Sequence, residues 1–408
     1  MLRRRGIERG ARLQFGVMRL GLTSAVLAVA ALSLSDTAAN VTAKVNSGLA
    51  HKLAPWNGTI TARLAEQNMA LNSAEDSALH ALTALRQDPT AVDALNVLGV
   101  LAQAQGDTEQ ARRIFGHSLK LSRRELPARI WAIEEAVSRG DIRSALASYN
   151  IALTTSKAAP DVLFPVLASA IAEPRVRSEL LKVLIKQPTW SEKFVDYLTT
   201  SGADPRTTVR FFREGAGGKL PVDEADRTKV VNALVARGFV EDGWNYFASF
   251  RTKAERIRSR DPEFSLRSDA PSVFDWTTVE PSGISASIQR TADGGLFDFF
   301  VAPSASGVML QQMQMLPPGA YRLEGRSTNL PESERARPYW SLACSDGREL
   351  SRIAIPASGS ARFSGAIRIP QGCPWQMLSL VARSSGSVAG VGGQIEYAIV
   401  RSVGRVME

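Results

Sequence analysis

The feature that most constrains this chain is a period. Gly106, Ala111, Phe115 and Ser118 recur 34 residues later as Gly140, Ala145, Tyr149 and Ala152, and Asp107 is matched by Asp141. An interval of this length is one antiparallel helix pair with its turns, and the apolar face of such a pair is too large to bury alone. Neighbouring pairs must therefore stack, with small residues where helices touch and a bulky ring in the gap between pairs. Ala111 and Ala145 are the small contacts; Phe115 and Tyr149 are the fillers. A chain built this way presents an extended surface, and function lives in what that surface grips.

Counting back by the same interval lands on Ser77, Ala81 and Ala84, with Asp88 and Pro89 closing that helix. Gly58 to Leu71 and Ala74 to Arg86 thus form an earlier, weaker pair. In the central pair, Leu95, Leu98 and Gly99 stand in a Leu-x-x-Leu-Gly arrangement on the first helix. Spacing and arrangement together resemble the tetratricopeptide repeat family over Gly58 to Ser156. The resemblance implies a concave groove lined by first helices: Asp93, Asn96, Val100 and Gln103 in the central repeat, Ile130 and Glu134 in the next. Such a groove is expected to take a protein partner, although the lysine and arginine set that grips a terminal carboxylate in some members is absent.

Past Ser156 the helical spacing continues without a clean repeat. Pro160, Pro174, Pro188 and Pro205 start or break short helices, as proline does in a first turn. Ala225 to Arg237 and, after the Gly238 turn, Val240 to Arg251 read as a further pair carrying Trp244 and Phe247. One right-handed array is expected over residues 55–259, with a separate helical bundle as the alternative.

Beyond the basic linker RTKAERIRSRDP the composition changes: lysine disappears, glycine and serine rise, and short alternating runs begin. The segments starting at Tyr321, Arg362 and Gln394 alternate apolar and polar residues, the mark of half-buried antiparallel strands. Turns are expected at Asp293 to Gly295, Pro317 to Gly319, Ser345 to Gly347 and Gly392-Gly393. The fold class is therefore multidomain, an α-helical repeat array followed by an antiparallel β-sandwich of jelly-roll type over 262–405. The run LQQMQMLPPGAYRLEGRS, with Phe274, Asp275 and Trp276 upstream, resembles the galactose-binding-like jelly rolls that include many carbohydrate-binding modules. Gln311 or Gln312, Gly319 and Tyr321 carry that match, and they are mostly structural positions.

The two cysteines, Cys344 and Cys373, both lie in this region and are expected to form a disulfide if the chain is exported; two buried thiols are the alternative. A bridge would bring two tryptophan-bearing strands together. Alternation puts Trp340 on the face of Leu342 and Cys344, and Trp375 on the face of Met377. One of these rings is expected in the core and Trp375 outside it, since Gln376, Leu378 and Leu380 supply an inward face. Trp375, Trp340 and Trp276, with Arg326 and Arg368 as donors to hydroxyls, are the candidate glycan contacts; the bland alternative is that all three rings fill the core.

The net charge of +9 suggests nucleic acid until its distribution is seen. Arg3, Arg4, Arg5, Arg9, Arg12 and Arg19, opposed by Glu8, carry over half of it within residues 1–19, and no aromatic-studded basic stripe remains elsewhere. The uncharged run Leu20 to Leu34 follows, so 20–36 reads as an export signal. Cleaved signal and uncleaved anchor both fit; the poor A-x-A site near Thr37 favours the anchor. The positive-inside rule then sends the bulk of the chain into a bacterial periplasm.

Signs of chemistry are sparse. His51, His80 and His117 lack partners at zinc-ligand spacing, Gly215 to Lys219 fails the phosphate-loop pattern at Leu220 and reads as a helix end, and Gly390 to Gly393 has no helix after it. No metal, cofactor or catalytic residue is expected. The reading is a membrane-tethered scaffold with a protein partner in the groove and a sandwich for glycan or subunit contact, possessing no enzymatic activity. A glycan-active enzyme with an accessory sandwich is the alternative. A reporter enzyme active only outside the cytoplasm, fused after Glu408, is expected to be active; an inactive fusion of intact length contradicts this topology.

Overall fold

The computed structural model describes Val26 and residues 29–403, except 202, 218–219, 267–269, 292–293, 357–359 and 386–388. It is a helical array followed by two antiparallel sheets. Helical residues 29–42 (α1) and α2 (Ser47–Leu53) precede three helix pairs: α3 (Gly58–Ala70) with α4 (Ala74–Gln87), α5 (Val92–Ala104) with α6 (Thr108–Leu121), and α7 (Leu126–Ser138) with α8 (Ile142–Thr155). Six further helices follow, α9 (Ala159–Ala170), α10 (Pro174–Leu184), α11 (Ser191–Thr200), α12 (Pro205–Gly215), α13 (Glu224–Ala236) and α14 (Val240–Phe250).

The 34-residue period is visible as repeated local chemistry. Gly106 and Gly140 take φ of +82° and +71°, the left-handed turn that ends a helix. The aspartates that follow them cap the next helices: the carboxylates of Asp107 and Asp141 accept from the backbone N–H of Gln110 and Ser144. Ser77, Ala111 and Ala145 are buried at the helix contacts, as are Ala81, Phe115 and Tyr149 between pairs. Gly99 is required by packing, because a Cβ there would stand 2.7 Å from Phe115 Cζ.

The chain divides into two compact units, and the division does not follow the boundary between helices and strands. Residues 1–167, 173–183 and 188–190 form one unit; 168–172, 184–187 and 191–408 form the other. In the first, Ala39 and Ala43 at the end of α1 pack with Ala50, Ala54 and Ile60, and Asn57 Nδ2 donates to Asp36 Oδ1 at 2.7 Å. Residues 1–25, 27 and 28 lie outside the described residues, and most of the basic segment and export run lies there. Among the described residues no helix is long and apolar enough to cross a membrane.

In the second unit, α11 to α14 belong with the sandwich. One sheet has the order β1 (Thr277–Thr278), β4 (Gly307–Gln314), β9 (Gln376–Ala382), β6 (Tyr339–Cys344), β7 (Glu349–Ala354). The other has β2 (Ile284–Thr291), β3 (Gly294–Val301), β10 (Val391–Ser402), β5 (Gly319–Thr328), β8 (Ser360–Ile369). Their inner faces enclose one core that includes Trp276, Phe297, Trp340, Leu378 and Leu380. The expected disulfide is present, with Cys344 and Cys373 Cα atoms 5.6 Å apart.

Two expectations are corrected here. Gly392 and Gly393 are not a turn: they lie inside β10, opposite Phe300 and Phe299. Glycine is needed because a Cβ on Gly393 would meet Leu330 Cδ2 at 2.4 Å. The basic stretch after Phe250 is not a loose linker either. Its Arg260 is buried, with its guanidinium 5.0, 5.2 and 5.7 Å from the rings of Trp244, Phe247 and Phe274. Arg260 Nη2 donates to the Met313 carbonyl at 3.1 Å, while Gln312 brackets the Arg260 backbone from β4. Burial lowers its pKa to about 9, so it stays cationic at neutral pH and lies against ring faces that favour a cation. Asn232 on α13 also accepts from the Val273 N–H. The α13–α14 hairpin is thereby built into the sandwich.

The close approach of α5 and α6 generates a direct test. Gly99→Ala is expected to destabilise the first unit by about 1–3 kcal/mol through displacement of the Phe115 ring, measured as a lower urea midpoint. An unchanged midpoint contradicts the packing described.

Candidate functional site

Helices α3 and α5 and the residue that precedes α7, Glu125, contribute neighbouring carboxylates to one surface. Glu66 on α3 has its pKa pushed up to about 7, first by burial and then by the charge of Asp93, with Arg63 offsetting part of the effect and Glu125 adding a little. Asp93 on α5 is raised as well, by burial first and then by Glu125. Glu66 keeps solvent on one side, yet protein flanks it closely enough that its charged form is poorly hydrated. Glu66 and Asp93 are thus partly desolvated on a surface shared with Glu125, and Arg63 is the cation that offsets part of their repulsion.

This surface is backed by buried polar contacts. Asn96 is buried; its Nδ2 donates to Glu125 Oε2 at 3.0 Å while its Oδ1 accepts from Ser118 Oγ at 2.8 Å. Asn96 was expected as an accessible contact and is instead a positioning residue, because both ends of its amide are used within the protein. Further along, Gln103 is exposed and accepts from Trp131 Nε1 at 2.8 Å, and Trp131 stacks on Phe115 with centroids 5.2 Å apart. Val100 and Glu134 are exposed and Ile130 is half-buried. Glu66, Glu125 and Trp131 are the members that sequence reasoning missed. The period itself contains a signal for one of them, since Glu66, Val100 and Glu134 are successive 34-residue equivalents.

The candidate glycan contacts on the sandwich do not converge. Trp340 and Trp276 are buried with ring centroids 5.8 Å apart, so both are core residues. Trp375 is half-buried just before β9, where its carbonyl accepts from the Ser345 N–H. Arg326 and Arg368 are exposed on the other sheet, but Arg326 pairs in register with Arg362 and Arg368 with Ala320. Six residues of register separate them, roughly 20 Å at the rise of a strand. Arg326 is engaged by Glu396 at 3.3 Å. Arg368 lines a depression of about 870 Å³ with Tyr321, Arg322, Leu350 and Gln371. Among the described residues no group of three or more histidine, cysteine, aspartate or glutamate side chains is placed to hold a metal ion.

The titration of Glu66 has a stability consequence. Its carboxyl titrates near 7 when folded and near 4.5 when unfolded, so the folded unit holds the extra proton between those values. The stabilisation is complete below the lower value and is lost as pH rises through 7. Amide protection of α3 and α5 against hydrogen exchange, corrected for intrinsic rates, is expected to fall from pH 5.5 to pH 8. In Glu66→Gln that fall should be largely absent; an identical fall in the variant contradicts the assignment.

No protein-family model matches the sequence, and no curated protein matches it closely. Solved structures with similar architecture exist. The enzymatically active domain of bacteriophage CBA120 tailspike protein 4 is 13% identical with a TM-score of 0.26, over 32% of this chain and 20% of that one, so this chain spans about a fifth of its length. The carbohydrate binding module of Cellvibrio mixtus lichenase 5A, in complex with cellotriose, is 15% identical with a TM-score of 0.22, over 32% of this chain and 98% of that one. PilW, a widely conserved type IV pilus biogenesis factor, is 16% identical with a TM-score of 0.25, over 48% of this chain and 93% of that one. The neighbours thus include a helical protein and a carbohydrate-binding module, and likenesses so distant carry no argument about this chain.

Proposed function

We propose that this chain is a membrane-tethered docking scaffold, with no enzymatic activity of its own, whose helical groove takes a basic segment of a protein partner. The observation that carries this reading is the partial desolvation of Glu66 beside Asp93 and Glu125, which raises its pKa to about 7, first through burial and then through the neighbouring charge of Asp93. A lysine or arginine entering the groove would return Glu66 to its charged form and relieve the repulsion among the three. Binding of a cation and release of a proton are then one event. The exposed Gln103 and Val100 beside Trp131 would add polar and apolar contact further along.

The basic arm and apolar run support tethering with the bulk of the chain in the bacterial periplasm, and the Cys344–Cys373 bridge fits an oxidising compartment. The sandwich would contribute glycan or subunit contact, for which Trp375 and the depression at Arg368 are its accessible features. Such a pairing of groove and sandwich suits the export or assembly of a surface polysaccharide.

The test uses the full chain and two synthetic peptides, one rich in lysine and arginine and one rich in glutamate. Saturable binding of the basic peptide alone is expected, tightening between pH 6 and pH 8 as Glu66 gives up its proton. Asp93→Asn should weaken it by about tenfold, the scale of one charge-assisted contact, without altering the helical signal. Equal binding of both peptides, or full binding by Asp93→Asn, contradicts the reading.

A further inference from the structure

A second surface, of opposite character, lies in the other unit between α12 and α14. Arg206, Arg210 and Arg213 are spaced to fall on one face of α12. They line a cleft of about 320 Å³, toward the small end of the range for small-molecule sites. Two of the three are fixed in place. The Arg206 guanidinium lies 3.7 Å from the Phe239 ring centroid, and its Nε donates to Asp242 Oδ2 at 2.6 Å. Arg213 lies 5.7 Å from the Tyr246 ring and donates from Nη2 to the Asn245 carbonyl at 3.4 Å. Between them Arg210 is exposed, with no hydrogen bond or ion pair among the described residues.

We propose that this cleft binds a small monocarboxylate, with a sugar acid as the ligand that suits it. Its lining holds three guanidinium groups and two carboxylates, Asp242 and Glu214; Asp242 is paired with Arg206, and Arg210 has no ion pair among the described residues. That balance matches a monoanion better than a phosphate, which carries close to two charges at neutral pH. The planar fork of Arg210 presents paired donors that match the two oxygens of a carboxylate. Leu234 is fully covered beneath the cleft and Val209 keeps a small exposed edge, the apolar contact open to the C–H face of a ring. Arg206 and Arg213, already turned and held, lose little freedom when the ligand arrives. This site is independent of the acidic groove and does not rest on its reading.

Calorimetric titration of the full chain with glucuronate, glucose, inorganic phosphate and a hexaglutamate peptide tests the proposal. Saturable glucuronate binding that weakens with added salt is expected, with glucose and phosphate at least about tenfold weaker. Arg210→Gln should reduce glucuronate binding by about tenfold or more with unchanged melting, and Arg210→Lys should keep part of it, retaining the charge without the fork. No saturable glucuronate binding, or binding unchanged in Arg210→Gln, overturns the site. Tighter binding of phosphate overturns the monoanion assignment, and tighter binding of hexaglutamate reassigns the cleft to protein carboxylates and overturns the sugar acid.

Discussion

The helical array depends on one contact, the Phe115 ring lying where Gly99 has no side chain. A methyl group at that position would push α6 away from α5, and the consequences would not stop at the pair. Phe115 also stacks on Trp131 of the next first helix, and Trp131 in turn holds Gln103 on the groove surface. A missing side chain on one helix therefore sets where a polar group stands on another. This is how a close-packed interior transmits position without any residue touching both ends.

Much of this was legible because the array repeats itself. A period names equivalent positions even where residue types differ, so Ser77, Ala111 and Ala145 share one helix-contact position, and Ala81, Phe115 and Tyr149 share the position between pairs. The same rule makes Glu66 the equivalent of Val100 and Glu134, a signal that the choice of groove residues left unused. What a period does not carry is the partner of a polar side chain. Asn96 looks like a surface residue by type, yet it is buried and its amide is satisfied by Ser118 and Glu125 from other segments. Glu125 itself sits before α7, outside the repeat's helical positions, so no spacing singled it out.

The strands were legible for a different reason and failed at different places. Alternation identified β5, β8 and β10, and it put Trp340 on the face of Leu342 and Cys344, which in the sandwich is the inner one. It misjudged Gly392-Gly393, because a glycine pair marks a turn in most chains and a crowded strand in this one. Arg260 was hidden by its company. Set in a run of basic residues it reads as solvated, and its aromatic surroundings come from Trp244, Phe247 and Phe274 on either side of it in sequence. Net charge concealed the rest: a surplus concentrated in one terminal segment says nothing of an acidic groove in one unit and an arginine-lined cleft in the other.

The burial of Arg260 among the rings of α14 and the Phe274 loop bears on how such a chain could arise or be rearranged. A sandwich copied into another protein from Pro262 onward would leave behind the hairpin, Arg260 and two of its three aromatic neighbours, exposing Phe274. A piece that keeps this contact whole must take the α13–α14 hairpin along with the sandwich. Genetic exchange that joins this sandwich to new partners is constrained to break the chain inside the helical region rather than at the visible change of composition.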